Sequence, residues 1–344
     1  MSERSERTIQ SSSAMNIVVT GSIATDNLMT FPGRFRELLV DGELDNLSLS
    51  FLVDELDIKR GGVAANIAFG LGCLGTTPVL VGAVGADFAE YREWLEAHGV
   101  DTESVRVSET RHTARFLCTT DADQNQIASF YTGAMAEARE IELAPVADRL
   151  GGIDLVVISP NDPAAMTRHT QECRERGYPF MADPSQQLAR LDGDQVRGLV
   201  DGATYLVTNE YERTLLAHKT GWSDEEILGK VGTWITTRGP EAVTVHRTGE
   251  PDLAVKPPRE LRKADPTGVG DALRAGFLAG VAADLTLERS VQLGCMLATL
   301  VIESVGTQEY GFAPAEFGQR VEEAYGADAA AQIGPIGRPA GGAE

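Results

Sequence analysis

Ala264-Asp-Pro-Thr-Gly-Val-Gly-Asp-Ala-Leu-Arg274 is the most informative stretch of the chain. Asp265-Pro266 marks a turn. Thr267, Gly268 and Gly270 then lead into Asp271 to Ala282, a segment rich in alanine, leucine and glycine. That order predicts a helix opened by a glycine-rich turn. A helix start presents N–H groups without intrahelical acceptors and the positive end of the helix dipole. Glycines let such a backbone approach an anion closely, so Gly268, Val269 and Gly270 form a candidate cradle for a phosphoryl group. Asp271 falls in the first turn, where a carboxylate can accept a hydrogen bond from a hydroxyl and take its proton. Help of that kind is worth roughly 10²–10⁴ in rate. The same residues would suit an ordinary N-capped helix, and Gly-x-Gly alone discriminates little. Asp-Pro-Thr-Gly-x-Gly-Asp over seven residues is more specific.

Outward from this stretch, strands and helices alternate. Asn16-Ile-Val-Val-Thr20, Val79-Leu-Val-Gly-Ala-Val84, Leu155-Val-Val-Ile158, Phe180-Met-Ala182, Tyr205-Leu-Val-Thr208 and Ala242-Val-Thr-Val245 are short apolar runs, as strands buried on both faces are. Helical stretches separate them, among them Gly61 to Leu74 and Tyr91 to His98. The expectation is an α/β fold with a mostly parallel central sheet flanked by helices on both faces. Two segments break the pattern. Leu47 to Lys59 alternates apolar and polar residues. Thr113-Ala-Arg-Phe-Leu-Cys-Thr-Thr120 and Gln126-Ile-Ala-Ser-Phe-Tyr131 flank a turn and read as a hairpin. Half-buried strands inserted in an α/β chain predict a small β-sheet lid, built from segments about 27–59 and 113–131. Such a lid could close over a ligand at the carboxyl ends of the core strands. One domain over 15–325 is expected, with polar, Ser-rich residues 1–14 and Ala/Gly/Pro-rich residues 326–344 as disordered tails.

The chain has 344 residues, 42% of them hydrophobic, enough for a large core. Thirty basic residues stand against 51 acidic ones, a net charge of −21. That balance argues against nucleic acid and anionic membrane surfaces as partners. A polyanionic ligand would need a locally positive site. No apolar run approaches the ~20 residues of a membrane span. Cys73, Cys118, Cys173 and Cys295 are too far apart for a metal knuckle, and the five histidines form no His-x-x-x-His pair. The cysteines read as reduced thiols in a cytoplasmic protein.

The 264–274 stretch resembles the C-terminal signature of the ribokinase-like (PfkB) carbohydrate kinases. Arg60-Gly-Gly-Val-Ala-Ala-Asn66 is similar to that family's N-terminal Gly-Gly-x-x-x-Asn segment. Asn209-Glu-Tyr-Glu212 is similar to its Asn-x-x-Glu motif, and Thr237-Arg-Gly239 to its Thr-x-Gly segment. Thr20-Gly-Ser-Ile-Ala-Thr-Asp26, Phe31-Pro-Gly-Arg-Phe35, Ala182-Asp-Pro-Ser-Gln-Gln-Leu-Ala-Arg-Leu191 and Gly306-Thr-Gln-Glu309 look like a divergent branch, the actinobacterial adenosine kinases. The resemblance runs from about Met15 to about Tyr310. It implies a purine-salvage reaction, adenosine plus ATP giving AMP plus ADP, with Asp271 as general base. A kinase acting on ribose or fructose is the alternative, and a non-catalytic nucleoside-binding protein a third.

On the substrate side the resemblance implies Ser22, Asp26, Gly61, Gly62, Asn66, Phe116, Phe130, Gln186, Gln187 and Arg190. An ionised Asp26 can accept from two vicinal hydroxyls, and the Asn66 amide offers donors and an acceptor. Phe116 and Phe130 could share a face and stack on a purine, or fill the lid's own core. Gln186 and Gln187 are placed in the adenosine site, and Arg190 near the transferred phosphate. Asn209, Thr237, Gly239, Gly268 and Gly270 are implied for the nucleotide, with Mg²⁺ held through water by Asn209 and Glu212. Pro266 departs from the usual Asp-Thr-x-Gly-x-Gly-Asp and lacks an N–H. That departure weakens the analogy for a K⁺ loop involving Ser304 and Gly306. An exposed lid sheet with Leu47, Leu49, Phe51 and Val53 suggests a homodimer.

Overall fold

Strands covered on both faces are largely apolar, and all six runs contribute a strand to one sheet. The structure, a computed structural model, describes residues 15–38 and 50–336. With strands numbered along the chain, the main sheet holds β1 (Ile17–Thr20), β4 (Val79–Val81), β9 (Leu155–Ile158), β10 (Phe180–Ala182), β11 (Tyr205–Asn209), β12 (Thr233–Thr237), β13 (Val243–His246) and β14 (Leu253–Val255). A second sheet holds β2 (Ala24–Thr30), β3 (Glu55–Gly61), β7 (Ala114–Thr120) and β8 (Gln126–Tyr131). A short pair, β5 (Ala83–Val84) and β6 (Arg106–Val107), stands apart.

The main sheet runs β14-β13-β12-β11-β10-β9-β1-β4. Six strands, β4 to β12 in that order, are parallel, and β13 and β14 turn antiparallel at one edge. Alternate residues of each strand serve two cores. Val19, Val157, Met181, Val207 and Ile235 pack under the helices Val63–Cys73, Val269–Ala282 and Leu287–Ile302. Val18, Val156, Phe180, Leu206 and Trp234 pack under Pro163–Arg176, Gly193–Val200 and Glu210–Thr220. This is the ribokinase-like α/β arrangement, with its separate small sheet, that the sequence predicts.

Four expectations change. The run Val79–Val84 divides at Gly82: β4 stays in the main sheet, while β5 pairs with β6. The alternating stretch 47–59 is a strand only from Glu55, and Leu47 and Leu49 lie outside the described residues. Phe51 sits with Phe31 and Phe35, ring centroids 4.8 and 5.4 Å away, which draws its side chain into the lid rather than onto an outer face. The lid also begins earlier than residue 27. Ala24–Thr30 pairs with both β3 and β7, so Asp26 lies within a lid strand. Finally, the stretch from 326 does not begin as a tail. Ala327–Ile333 is a helix whose Ala329 and Ile333, one turn apart, are buried in the core. Residues 1–14 and 337–344 lie outside the described residues. Among the described residues, no helix is long and apolar enough to cross a membrane.

Candidate active site

The sheet's carboxyl ends and the lid enclose a cleft of about 640 Å³, within the ~300–1,000 Å³ usual for small-ligand sites. Ser22, Asp26, Gly62, Asn66, Phe116, Phe130, Gln186, Gln187, Arg190, Gly268 and Asp271 all line it. Gly61 lies at its edge, where a Cβ would come within 2.9 Å of the Asp26 carboxylate. A side chain there would displace that carboxylate. Gly62 turns the chain from β3 into the helix Val63–Cys73 with φ +94, and a Cβ would meet the backbone of Ser22 and Ala24 at 2.6 Å.

The floor is a hydrogen-bonded block. Asp271 stands in the first turn of Val269–Ala282. Its Oδ2 accepts from Asn66 Nδ2 at 2.8 Å, across 205 residues of chain. Asn66 Oδ1 accepts from Gln308 Nε2 and Thr307 Oγ1, both at 2.9 Å. Gln308 Nε2 also reaches Tyr91 OH at 2.5 Å, and Tyr91 donates to the Gly61 carbonyl at 2.9 Å. Arg274, one helical turn beyond Asp271, is buried. It donates to Asp183 Oδ1 at 2.6 Å and to the Gly270 carbonyl at 2.8 Å. The turn before the helix is closed by Asp265, which accepts from the Thr267 N–H at 2.9 Å and the Gly306 N–H at 3.2 Å. Burial pushes the Asp271 carboxyl up to about 7. The Asn66 hydrogen bond and the Arg274 charge oppose that rise, while Asp183 and Asp26 add to it. Asp26 is raised to about 6, by burial and by Asp265.

The roof is the inner face of the lid. Asp26 pairs in register with Lys59 and Phe116, and Phe116 with Phe130, so all four share one face. The two rings therefore face the cleft, and Phe130 is 47% exposed. Gln187 Nε2 donates to the Asn161 carbonyl at 2.7 Å, whereas Gln186 is exposed beside it.

Some predicted residues have structural work of their own. Ser22 Oγ accepts from the Val63 N–H at 3.0 Å, capping the helix that carries Asn66. Asn209 and Glu212 form a reciprocal capping box. Asn209 Oδ1 accepts from the Glu212 N–H at 2.7 Å, and Glu212 Oε2 from the Asn209 N–H at 2.8 Å. Asn209, Glu212, Thr237 and Gly239 do not line the cleft. Asn209 and Thr237 are register partners at the carboxyl ends of β11 and β12, on the sheet edge from which Asp183 also emerges. Val269 and Gly270 open the helix and do not line the cleft. Ser304 Oγ donates back to the Leu300 carbonyl at 3.3 Å. Among the described residues no group of three or more His, Cys, Asp or Glu could hold a metal.

Tyr91, Asp183, Asp265, Arg274, Thr307 and Gln308 were not singled out from sequence as site residues. All but Tyr91 stand inside quoted motifs, but nothing local marks their partners.

The pfkB family carbohydrate kinase model matches residues 37–314. A nucleoside kinase of Methanothermobacter thermautotrophicus is 32% identical over 254 residues, 72% of this chain and 80% of that protein. A structure of Burkholderia thailandensis nucleoside kinase in complex with inosine is 36% identical, with a TM-score of 0.79 over 90% of this chain and 99% of that one. Ribokinase from Thermotoga maritima, 19% identical with a TM-score of 0.73, covers 90% of this chain and 99% of its own, and shares the fold. The chain belongs to the pfkB family of carbohydrate kinases and is an ATP-dependent phosphotransferase with an alcohol acceptor.

Proposed function

We propose that this chain is an adenosine kinase, transferring the γ-phosphate of ATP to the 5′-hydroxyl of adenosine. The observation that carries the reading is Asp271, fixed by Asn66 at a glycine-opened helix N-terminus and facing a lid surface that presents Phe116 and Phe130. The 5′-oxygen attacks in line and its bond to phosphorus forms. The bond to the β,γ-bridging oxygen breaks, its electron pair leaves on ADP, and the hydroxyl proton passes to Asp271. The N–H groups of Gly268 to Asp271 receive the transferring phosphoryl oxygens, and Arg190 adds positive charge at the rim. Asn209, Thr237 and Gly239 bound the nucleotide side, and Asn209 and Glu212, held in their helix cap, would meet magnesium through water. Magnesium supplies charge neutralisation on the phosphates. Catalysis of this kind rests on positioning and electrostatics. Asp26 accepts from the ribose hydroxyls, Gln186 and Gln187 meet the purine edge, and the lid excludes water.

The inosine complex of the 36%-identical Burkholderia protein favours a second reading, a kinase that also takes inosine. The test is initial rates with ATP against adenosine, inosine, ribose and fructose. Adenosine is expected to exceed both sugars in kcat/KM by at least ~10-fold, the value of one base stack. Ribose turned over as well as adenosine would sink the nucleoside reading, and inosine above adenosine would replace the second substrate for the first. Full activity of Asp271→Asn would remove the mechanism.

The outer lid face exposes Leu56, Ile58 and Ile127, and we take it as the contact of a homodimer. A monomer in sedimentation at micromolar concentration would refute that.

A further inference from the structure

A chain of hydrogen bonds leads away from Asp271 to the place where the lid joins the core. Its direction is set by chemistry. A carboxylate only accepts, so Asn66 must present its Nδ2 to Asp271 and its Oδ1 to the other side. Two groups hold that Oδ1. Thr307 has one proton, and its hydroxyl lies 2.9 Å from both Asn66 Oδ1 and the Arg60 carbonyl. Gln308 has two, one for Asn66 Oδ1 and one for Tyr91 OH. Tyr91 then gives its own proton to the Gly61 carbonyl, the last residue of the lid strand β3. Gln308 is thus the branch point, buried, and among the described residues no donor meets its Oε1. A buried acceptor with no donor is costly, so this orientation is retained for what the amide's two N–H groups do.

We propose that Gln308 is a positioning residue: by donating to both Asn66 and Tyr91 it locks the Asn66 amide toward Asp271 and ties that orientation to the lid junction at Gly61. Without Gln308, the Thr307 hydroxyl, shared with the Arg60 carbonyl, is the one remaining partner of Asn66 Oδ1 among the described residues. A rotated amide would set its oxygen against the Asp271 carboxylate. The other charged or titratable groups facing Asp271 are Arg274 on its own helix, Asp183 after β10, Asp26 on the lid and the Tyr310 hydroxyl. Each remains in the variants below.

The inference rests on Asp271 being the base, so Asp271→Asn is measured alongside. Gln308→Met keeps the volume and removes the donors. Its kcat is expected to fall ~10- to 100-fold, the scale of an orienting contact, with both KM values within about threefold. The acid limb of its kcat–pH profile is expected to move to higher pH. Tyr91→Phe removes one hydroxyl, leaves the Gln308–Asn66 bond, and is expected to lower kcat several-fold without moving the limb. If Gln308→Met does not fold, Tyr91→Phe decides: wild-type kcat in that variant overturns the inference. A folded Gln308→Met with wild-type kcat and an unmoved limb overturns it as well. An inactive Asp271→Asn beside such a variant would leave the base assignment standing. An active Asp271→Asn would remove the base assignment itself.

Discussion

The floor and the roof of the cleft are built on opposite terms. On the floor, Asp271, Asn66, Thr307, Gln308, Arg274 and Asp183 are packed and tied to one another. On the roof, Leu28 and Phe130 are 39% and 47% exposed, and Phe130 lies against the open cleft. The floor carries charge, and preorganised charge is what stabilises phosphoryl transfer. The roof carries exposed apolar surface, and burying such surface against a ligand is favourable. Rate is therefore expected to be written into the floor, and substrate choice into the roof.

The largest expected effect tests the floor. Asp271→Asn should lower kcat ~10²–10⁴-fold with little change in either KM, as loss of a general base does. Steady-state kinetics checks it, and an effect confined to KM would erase the contrast with the roof. Next is the buried ion pair. Arg274→Met leaves Asp183 buried without a partner and should cost ~3–5 kcal/mol of stability, read by urea unfolding. A loss near zero would mean the pair does not hold the floor. On the roof, Phe130→Ala should raise the nucleoside KM by the ~1–3 kcal/mol of a base stack, roughly 5- to 150-fold. Its kcat at saturation, ATP KM and melting temperature should match wild type, and a fall in kcat instead would merge the two regions. The smallest effect concerns protons. Asp271 must be ionised to act, and its carboxyl is raised to about 7. kcat/KM should therefore fall about tenfold per pH unit below that value. The sign for stability is opposite. A folded-state value above the ordinary 3.8 favours the fold at low pH, and that contribution is lost as pH rises through about 7. Asp271→Asn should thus melt higher than wild type at pH 8, with the difference closing toward pH 4.

Much of this was readable locally. Short apolar runs marked six of the eight main strands in whole or part. The glycines before Asp271 announced a helix start, and the hairpin read over 113–131 left Phe116 and Phe130 able to share a face, as the register has them. Strands β12 and β14 were missed, one rich in threonine and the other three residues long. The capping box Asn209-x-x-Glu212 is also local, and its two side chains are occupied by their own helix terminus. Asn66 was readable as a polar residue needing a reason inside an apolar helix. The reason itself, a carboxylate 205 residues away, was not.

The amino-acid sequence by itself determined periodicity, turn chemistry and motif, because those depend on neighbours within a few residues. From them follow the α/β class, the glycine-opened helix and the identity of Asp271 as the central carboxylate. Only the tertiary structure decided partners. It split the run 79–84 between two sheets, moved Asp26 into the lid, paired Arg274 with Asp183 and ran a hydrogen-bond chain from Asp271 through Gln308 to Gly61. A pattern along the chain records which side chains must be buried. Which donor meets which acceptor is settled when the packed elements bring distant residues within about 3 Å.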